Sequence, residues 1–200
     1  MNLLRLHRRR PSPGSRRDED HVRIRITEDD ERRERIITAR NRMFTARSLE
    51  IEHSDKAENW IWIPQNDERF PEVLELLKVW WFDIKVRINF VLLSPETNYA
   101  AYLIFRTMAH SEGLDSFQEA SVFSDGLRSK IVCIKPRVAI SPNDGIGLPV
   151  ERPDGWMELE LGQFYCNQTT NREVVVCLKE TNGNIKKSGL IVAGVEVRHI

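Results

Sequence analysis

The side chains through which this 200-residue sequence can most readily do chemistry are five tryptophans, Trp60, Trp62, Trp80, Trp81 and Trp156, and a scatter of carboxylates. An indole offers a flat apolar face to another ring or to the C–H face of a sugar, while carboxylates and amides accept hydrogen bonds from hydroxyls. Such a set binds. Catalysis asks for more: glycoside hydrolysis needs two carboxyl groups about 5–9 Å apart across a cleft, and no pair here is singled out by its spacing. There is no GxSxG, HExxH or P-loop, and no histidine beside a nucleophile and an orienting acid. His7, His21 and His199 lie in the tails, and His110 adjoins the loop Ser111-Glu112-Gly113. Neither an enzyme nor a cofactor is expected.

Cys133, Cys166 and Cys177 are an odd number, without CxxC spacing or a nearby histidine pair, which argues against a disulfide framework or a zinc site and for reduced thiols. No apolar stretch has the pattern of a signal peptide, and none approaches the roughly 20 residues that span a bilayer. The expected address is the cytoplasm or nucleus, with no membrane partner. Lysine plus arginine and aspartate plus glutamate number 30 each, so the chain as a whole has no field that draws it to nucleic acid. Residues 1–42 are the exception, with 13 arginines against 8 acidic residues. Arg8-Arg9-Arg10 and Arg16-Arg17 can contact phosphates or act as a nuclear-localisation cluster, but no aromatic is interleaved, so nucleic-acid binding there would be unspecific.

The elements that must position these side chains follow from periodicity. Residues 1–41 read as a charged, largely disordered arm, with a helix over 27–40: Thr27 is an N-cap followed by Glu28, Asp29 and Asp30, and arginines gather toward the other end. From Phe44 the period changes to two, and 42–200 reads as one domain. Phe70–Lys78 is predicted to be a two-turn helix, with Pro71 near its start and Val73, Leu74 and Leu77 on one face. Trp80, Phe82, Ile84, Val86, Ile88 and Phe90 then alternate with Asp83, Lys85, Arg87 and Asn89 as a half-buried strand. Tyr99–Phe105 is apolar on both faces and predicts an inner strand; Ser129–Ile134, Trp156–Leu161, Val174–Leu178 and Leu190–Val197 are further strands, and 137–154 is a long loop. The class is all-β, an antiparallel jelly-roll-like β-sandwich with one or two short helices. The alternation places Trp62, Trp80 and Trp156 in the core. Trp81 falls on the polar face, as an interaction residue or packed under the preceding helix, and Trp60 fits either a site or the core. Lys186 and Lys187, after the turn Thr181–Asn184, read as surface charge.

Five blocks in order resemble the phloem protein 2 family of plant lectins, the Nictaba-like proteins: Ala46-Arg47-Ser48-Leu49 leading to Asn59-Trp60-Ile61-Trp62, Phe70-Pro71-Glu72-Val73-Leu74-Glu75-Leu76, Leu93–Phe105, Arg152–Gly162 and Lys187–Arg198. The resemblance implies a jelly-roll sandwich that binds N-acetylglucosamine oligomers and the cores or high-mannose arms of N-glycans. It also implies a binding set at His53, Trp60, Glu173 and Glu180, with His53 where the family lectin has a tryptophan. An imidazole stacks less surface than an indole, so weaker or altered sugar binding is expected. Glu173 and Glu180 are seven residues apart, an odd offset that puts them on opposite faces of one strand unless a turn or bulge intervenes. Many relatives carry an F-box and select substrates for ubiquitin ligation. Residues 1–42 do not resemble an F-box, and the alternative function is a protein-interaction module that has lost sugar binding. The expected state is a monomer or weak dimer whose partners are glycans or glycoproteins, or other proteins.

Overall fold

The structure, a computed structural model, describes residues 42–169 and 171–200. The arm at 1–41, with its expected helix over 27–40, lies outside them. Twelve strands follow one another: β1 (Arg42–Thr45), β2 (Glu50–Ile51), β3 (Trp60–Pro64), β4 (Glu72–Leu76), β5 (Phe82–Asn89), β6 (Thr97–Glu112), β7 (Gln118–Phe123), β8 (Leu127–Val132), β9 (Val150–Glu151), β10 (Met157–Cys166), β11 (Glu173–Glu180) and β12 (Ser188–His199). They build two antiparallel sheets. The larger runs β3-β4-β12-β6-β10-β9, with β1 also on β12, and the smaller runs β2-β5-β11-β7-β8.

Alternation makes the core. Phe82, Ile84, Val86 and Ile88 of β5 and Val174, Val176 and Leu178 of β11 meet Leu103 and Phe105 of β6, Leu159 and Leu161 of β10 and Leu190 and Val192 of β12. Within the central strand β6, the stretch Tyr99–Phe105 is indeed enclosed on both faces. Leu103 and Phe105 enter the space between the sheets, while Ile104 joins Phe70, Val73, Trp156 and Ala193 in a second cluster on the outer side of the larger sheet.

The helix expected over Phe70–Lys78 is absent: Glu72–Leu76 is strand β4, hydrogen-bonded to β3 on one side and β12 on the other. Leu74 and Leu76 fill the main core and Val73 the second cluster. A strand buries successive residues on opposite faces, which a helix with one apolar stripe cannot do, and two isolated turns gain too little from propensity to compete. Among the described residues the helical segments are three short 3-10 turns, Ala46–Ser48, Phe90–Leu92 and Pro142–Asp144. No described helix is long and apolar enough to cross a membrane.

Gly194 sits at a register shift in β12, opposite Thr45 of β1. A Cβ there would run into the Phe44 carbonyl oxygen and the Met43 methyl. Gly194→Ala is expected to cost about 1–3 kcal/mol, since the neighbour is backbone that cannot easily yield; urea unfolding measures it.

Candidate functional site

Between β4 and β5 the chain leaves the larger sheet for the smaller, and residues 77–81 form the crossing. They are tied down at two points. The Leu77 and Lys78 N–H groups both donate to the Asn59 carbonyl at 2.8 and 3.3 Å, and Val79 makes a two-way bridge with Lys187. Opposite this crossing is the turn 52–59, where His53 adopts a left-handed φ of 62°. Such a conformation is uncommon for a residue with a Cβ and marks a place where surroundings fix the backbone.

A cleft of about 340 Å³ opens between the two segments, lined by His53, Glu58, Asn59, Lys78, Val79, Trp80 and Trp81. Its aromatic wall is open: Trp80 is 51% exposed and Trp81 37%. The His53 imidazole meets the Trp81 indole edge-on, with centroids 5.2 Å apart and planes at 67°. Its Nδ1 lies 3.7 Å from Glu52 Oε1. The cleft thus combines apolar ring surface with a carboxylate, an amide and an ammonium, the mixture of a small-ligand site that recognises hydroxyl and amide groups.

The four residues implied by family resemblance do not come together. His53 lines the cleft. Trp60 is 2% exposed within the main core, and its indole N–H donates to the Glu52 carbonyl at 3.1 Å, so it supports the turn from below and presents no free face. Glu180 is buried against Lys187 beneath the Trp80 backbone. Glu173 is at the other end of β11, half-exposed and 3.5 Å from Arg87. No turn or bulge makes the two glutamates converge, because β11 pairs with β5 in unbroken register, and seven residues of strand span about 23 Å. Glu173→Ala is accordingly expected to leave ligand affinity within about twofold of the parent, a change too small to reflect a lost hydrogen bond to ligand; calorimetric titration reads it.

Three further expectations are corrected. Trp80 is not a core residue, because the strand begins only at Phe82 and the crossing before it turns the ring outward. Of the two alternatives for Trp81, packing under a preceding helix falls because strand β4 stands there, and the ring lines the cleft against His53. Lys187 is not surface charge but fully buried. Trp156 does lie in the second cluster, with the Arg106 guanidinium 4.1 Å above it, and Trp62 packs partly against the main core under Arg47. Sequence reasoning missed Trp80, Glu58, Asn59 and Lys78; the available signal was the adjacent pair Trp80-Trp81, since a strand cannot bury both on one face.

A second concavity, on the outer face of the larger sheet, is lined by Arg152, Asp154, Glu158, Glu196 and Arg198. Its charges are consumed by one another. Arg152 donates to Glu196 at 2.6 Å and Glu158 at 3.1 Å, and Arg198 bonds both glutamates. Burial alone would raise the Glu196 carboxyl, but the bonds from Arg198 and Arg152 outweigh it and hold it below the usual range. Asp154 is likewise lowered against its burial, by Arg69 and the Trp156 N–H. A carboxyl whose folded pKa is depressed adds stability above its unfolded pKa and loses it as pH falls through the folded value. The melting temperature should therefore fall as pH drops from about 5 toward 2, with a shallower slope in Glu196→Gln; calorimetry across that window checks it.

With this geometry in place, the comparison with known proteins is decisive for family. The sequence model described as phloem protein 2 matches residues 39–199. This chain belongs to the phloem protein 2 family. F-box protein PP2-B10 of Arabidopsis thaliana is 34% identical over 161 residues, which cover 78% of this chain and 59% of the relative. F-box protein PP2-B15 of the same plant is 31% identical over 182 residues, covering 78% and 63%. The chain thus spans about 60% of the length of these phloem protein 2 relatives. Among solved structures, the CBM22-1 xylan-binding domain from Paenibacillus barcinonensis Xyn10C aligns with 81% of this chain and 94% of its own, at 8% identity and a TM-score of 0.40. The phloem protein 2 domain here is a β-sandwich in which two adjacent indoles, Trp80 and Trp81, stand open at the crossing between the sheets.

Proposed function

We propose that this domain binds carbohydrate, with N-acetylglucosamine oligomers or N-glycan cores as the substrate class, in the cleft between the 52–59 turn and the 77–81 crossing. The observation that carries the reading is the pair of exposed indoles, Trp80 and Trp81, facing Glu58, Asn59 and His53 in one cleft. An indole stacked on a pyranose ring gains on the order of 0.5–1.5 kcal/mol beyond burial, by analogy with aromatic pairs. Glu58 can accept from sugar hydroxyls, Asn59 can pair with an N-acetyl amide, and Lys78 can donate to a ring substituent. The volume suits one or two sugar units and a longer chain running out over Trp80. The cytoplasm or nucleus as the place of action is supported by three cysteines that are all buried and unpaired.

A glycan-array screen of the full chain tests the reading. Signal on N-acetylglucosamine oligomers or N-glycan cores supports it. A blank array from folded protein favours the second reading, recognition of protein partners, which draws on the relatives being named F-box proteins.

A further inference from the structure

Lys187 stands apart among the charged residues described. Its side chain is 0% exposed, and the carboxylate it meets, Glu180, is nearly as deeply buried. Its Nζ donates to the Trp80 carbonyl at 2.7 Å and to the Asn182 carbonyl, and forms an ion pair with Glu180. Glu180 Oε1 accepts in turn from the Asn182 N–H at 3.0 Å. The Lys187 backbone exchanges two hydrogen bonds with Val79, at 2.7 and 3.0 Å.

Withdrawing two charges from water is costly, and such a pair commonly adds no more stability than apolar side chains of the same volume. What it adds is a defined place for the groups it holds. Here those groups are the main chain of Trp80 and the 181–186 turn. Trp80 and Trp81 are half-exposed on a short crossing outside the regular strands, where side-chain burial alone does little to fix them.

We propose that Lys187 and Glu180 are positioning residues for the cleft: Lys187 fixes the Trp80 carbonyl and with it both indoles, and Glu180 acts through Lys187 without touching ligand. The inference rests on the cleft being the glycan site and deepens it, giving the glutamate of the resemblance a role one step removed from sugar.

The test labels the full chain with 5-fluorotryptophan, which reports five indoles separately, and replaces the pair together by Lys187→Met with Glu180→Leu, so that no unpaired charge is left inside. The expected result is that the Trp80 and Trp81 resonances shift or broaden without sugar while those of Trp60, Trp62 and Trp156 hold. Affinity for the N-acetylglucosamine trimer should fall at least tenfold. Unchanged Trp80 and Trp81 resonances overturn the proposal, as does unchanged affinity when they do move. If the parent chain fails to bind the trimer but the resonances move, the glycan reading fails and the positioning role stands. Should the paired variant not fold, Lys187→Met with Glu180→Gln, which keeps an acceptor for the Asn182 N–H and still leaves no charge inside, is read in the same way.

Discussion

Trp60→Ala is expected to unfold with about 3–5 kcal/mol less free energy than the parent chain, the range for removing a large aromatic from a close-packed interior. Trp60 is among the largest fully buried side chains, and it packs in the main core at the start of β3. Alanine would leave a cavity and strand the Glu52 carbonyl that now accepts from the indole. Urea unfolding should show a lower midpoint at unchanged slope, the mark of lost stability rather than a changed denatured state. Trp60→Phe keeps most of the volume and loses the hydrogen bond, so its cost should be nearer 1 kcal/mol. That variant should bind sugar as the parent does. A Trp60→Phe protein that is folded and has lost its ligand would mean that the indole acts directly on sugar.

The largest effect on binding is expected at Trp81. Trp81→Ala removes the open ring on which His53 leans and takes the aromatic floor out of the cleft. Affinity for the N-acetylglucosamine trimer should fall between tenfold and a hundredfold, about 1.4–2.8 kcal/mol. Because the ring is 37% exposed and lies outside the main core, the melting temperature should move by only a few degrees. Isothermal titration beside a thermal melt separates the two effects. Trp60 and Trp81 thus make opposite pairs of results, stability without binding in one and binding without stability in the other.

That contrast also shows how much the sequence revealed. The alternating apolar residues of β5, the two-faced burial of Tyr99–Phe105 and the strands β10, β11 and β12 were legible because a period of two reports directly which residues share a face. β4 was not. Over Phe70–Lys78 the helical spacing of Val73, Leu74 and Leu77 is real, but partners on both sides of the strand decide the outcome, and those partners are β3 and β12. Trp80 was misplaced by extending the alternation of β5 one step past the point where the ladder ends. Lys187 was misread for a similar reason. Its acceptor at Trp80 lies 107 residues away in sequence, and no local pattern announces that a lysine after a turn will be enclosed. The candidate site was legible as a kind of chemistry, aromatic faces with carboxylates and amides, and of the four residues implied by the resemblance His53 is the one that lines the cleft. Its other members depend on a chain crossing whose course is set by long-range pairing.

The most direct test of the central claim is an amide NMR titration of the nitrogen-15-labelled full chain with the N-acetylglucosamine trimer. Saturable shifts confined to His53, Glu58, Asn59 and the 78–81 segment, with Glu173, Arg87 and the Arg152–Glu196 network unmoved, are the predicted result. Shifts centred on Glu173 or on that network, or a spectrum unchanged by sugar, would contradict it.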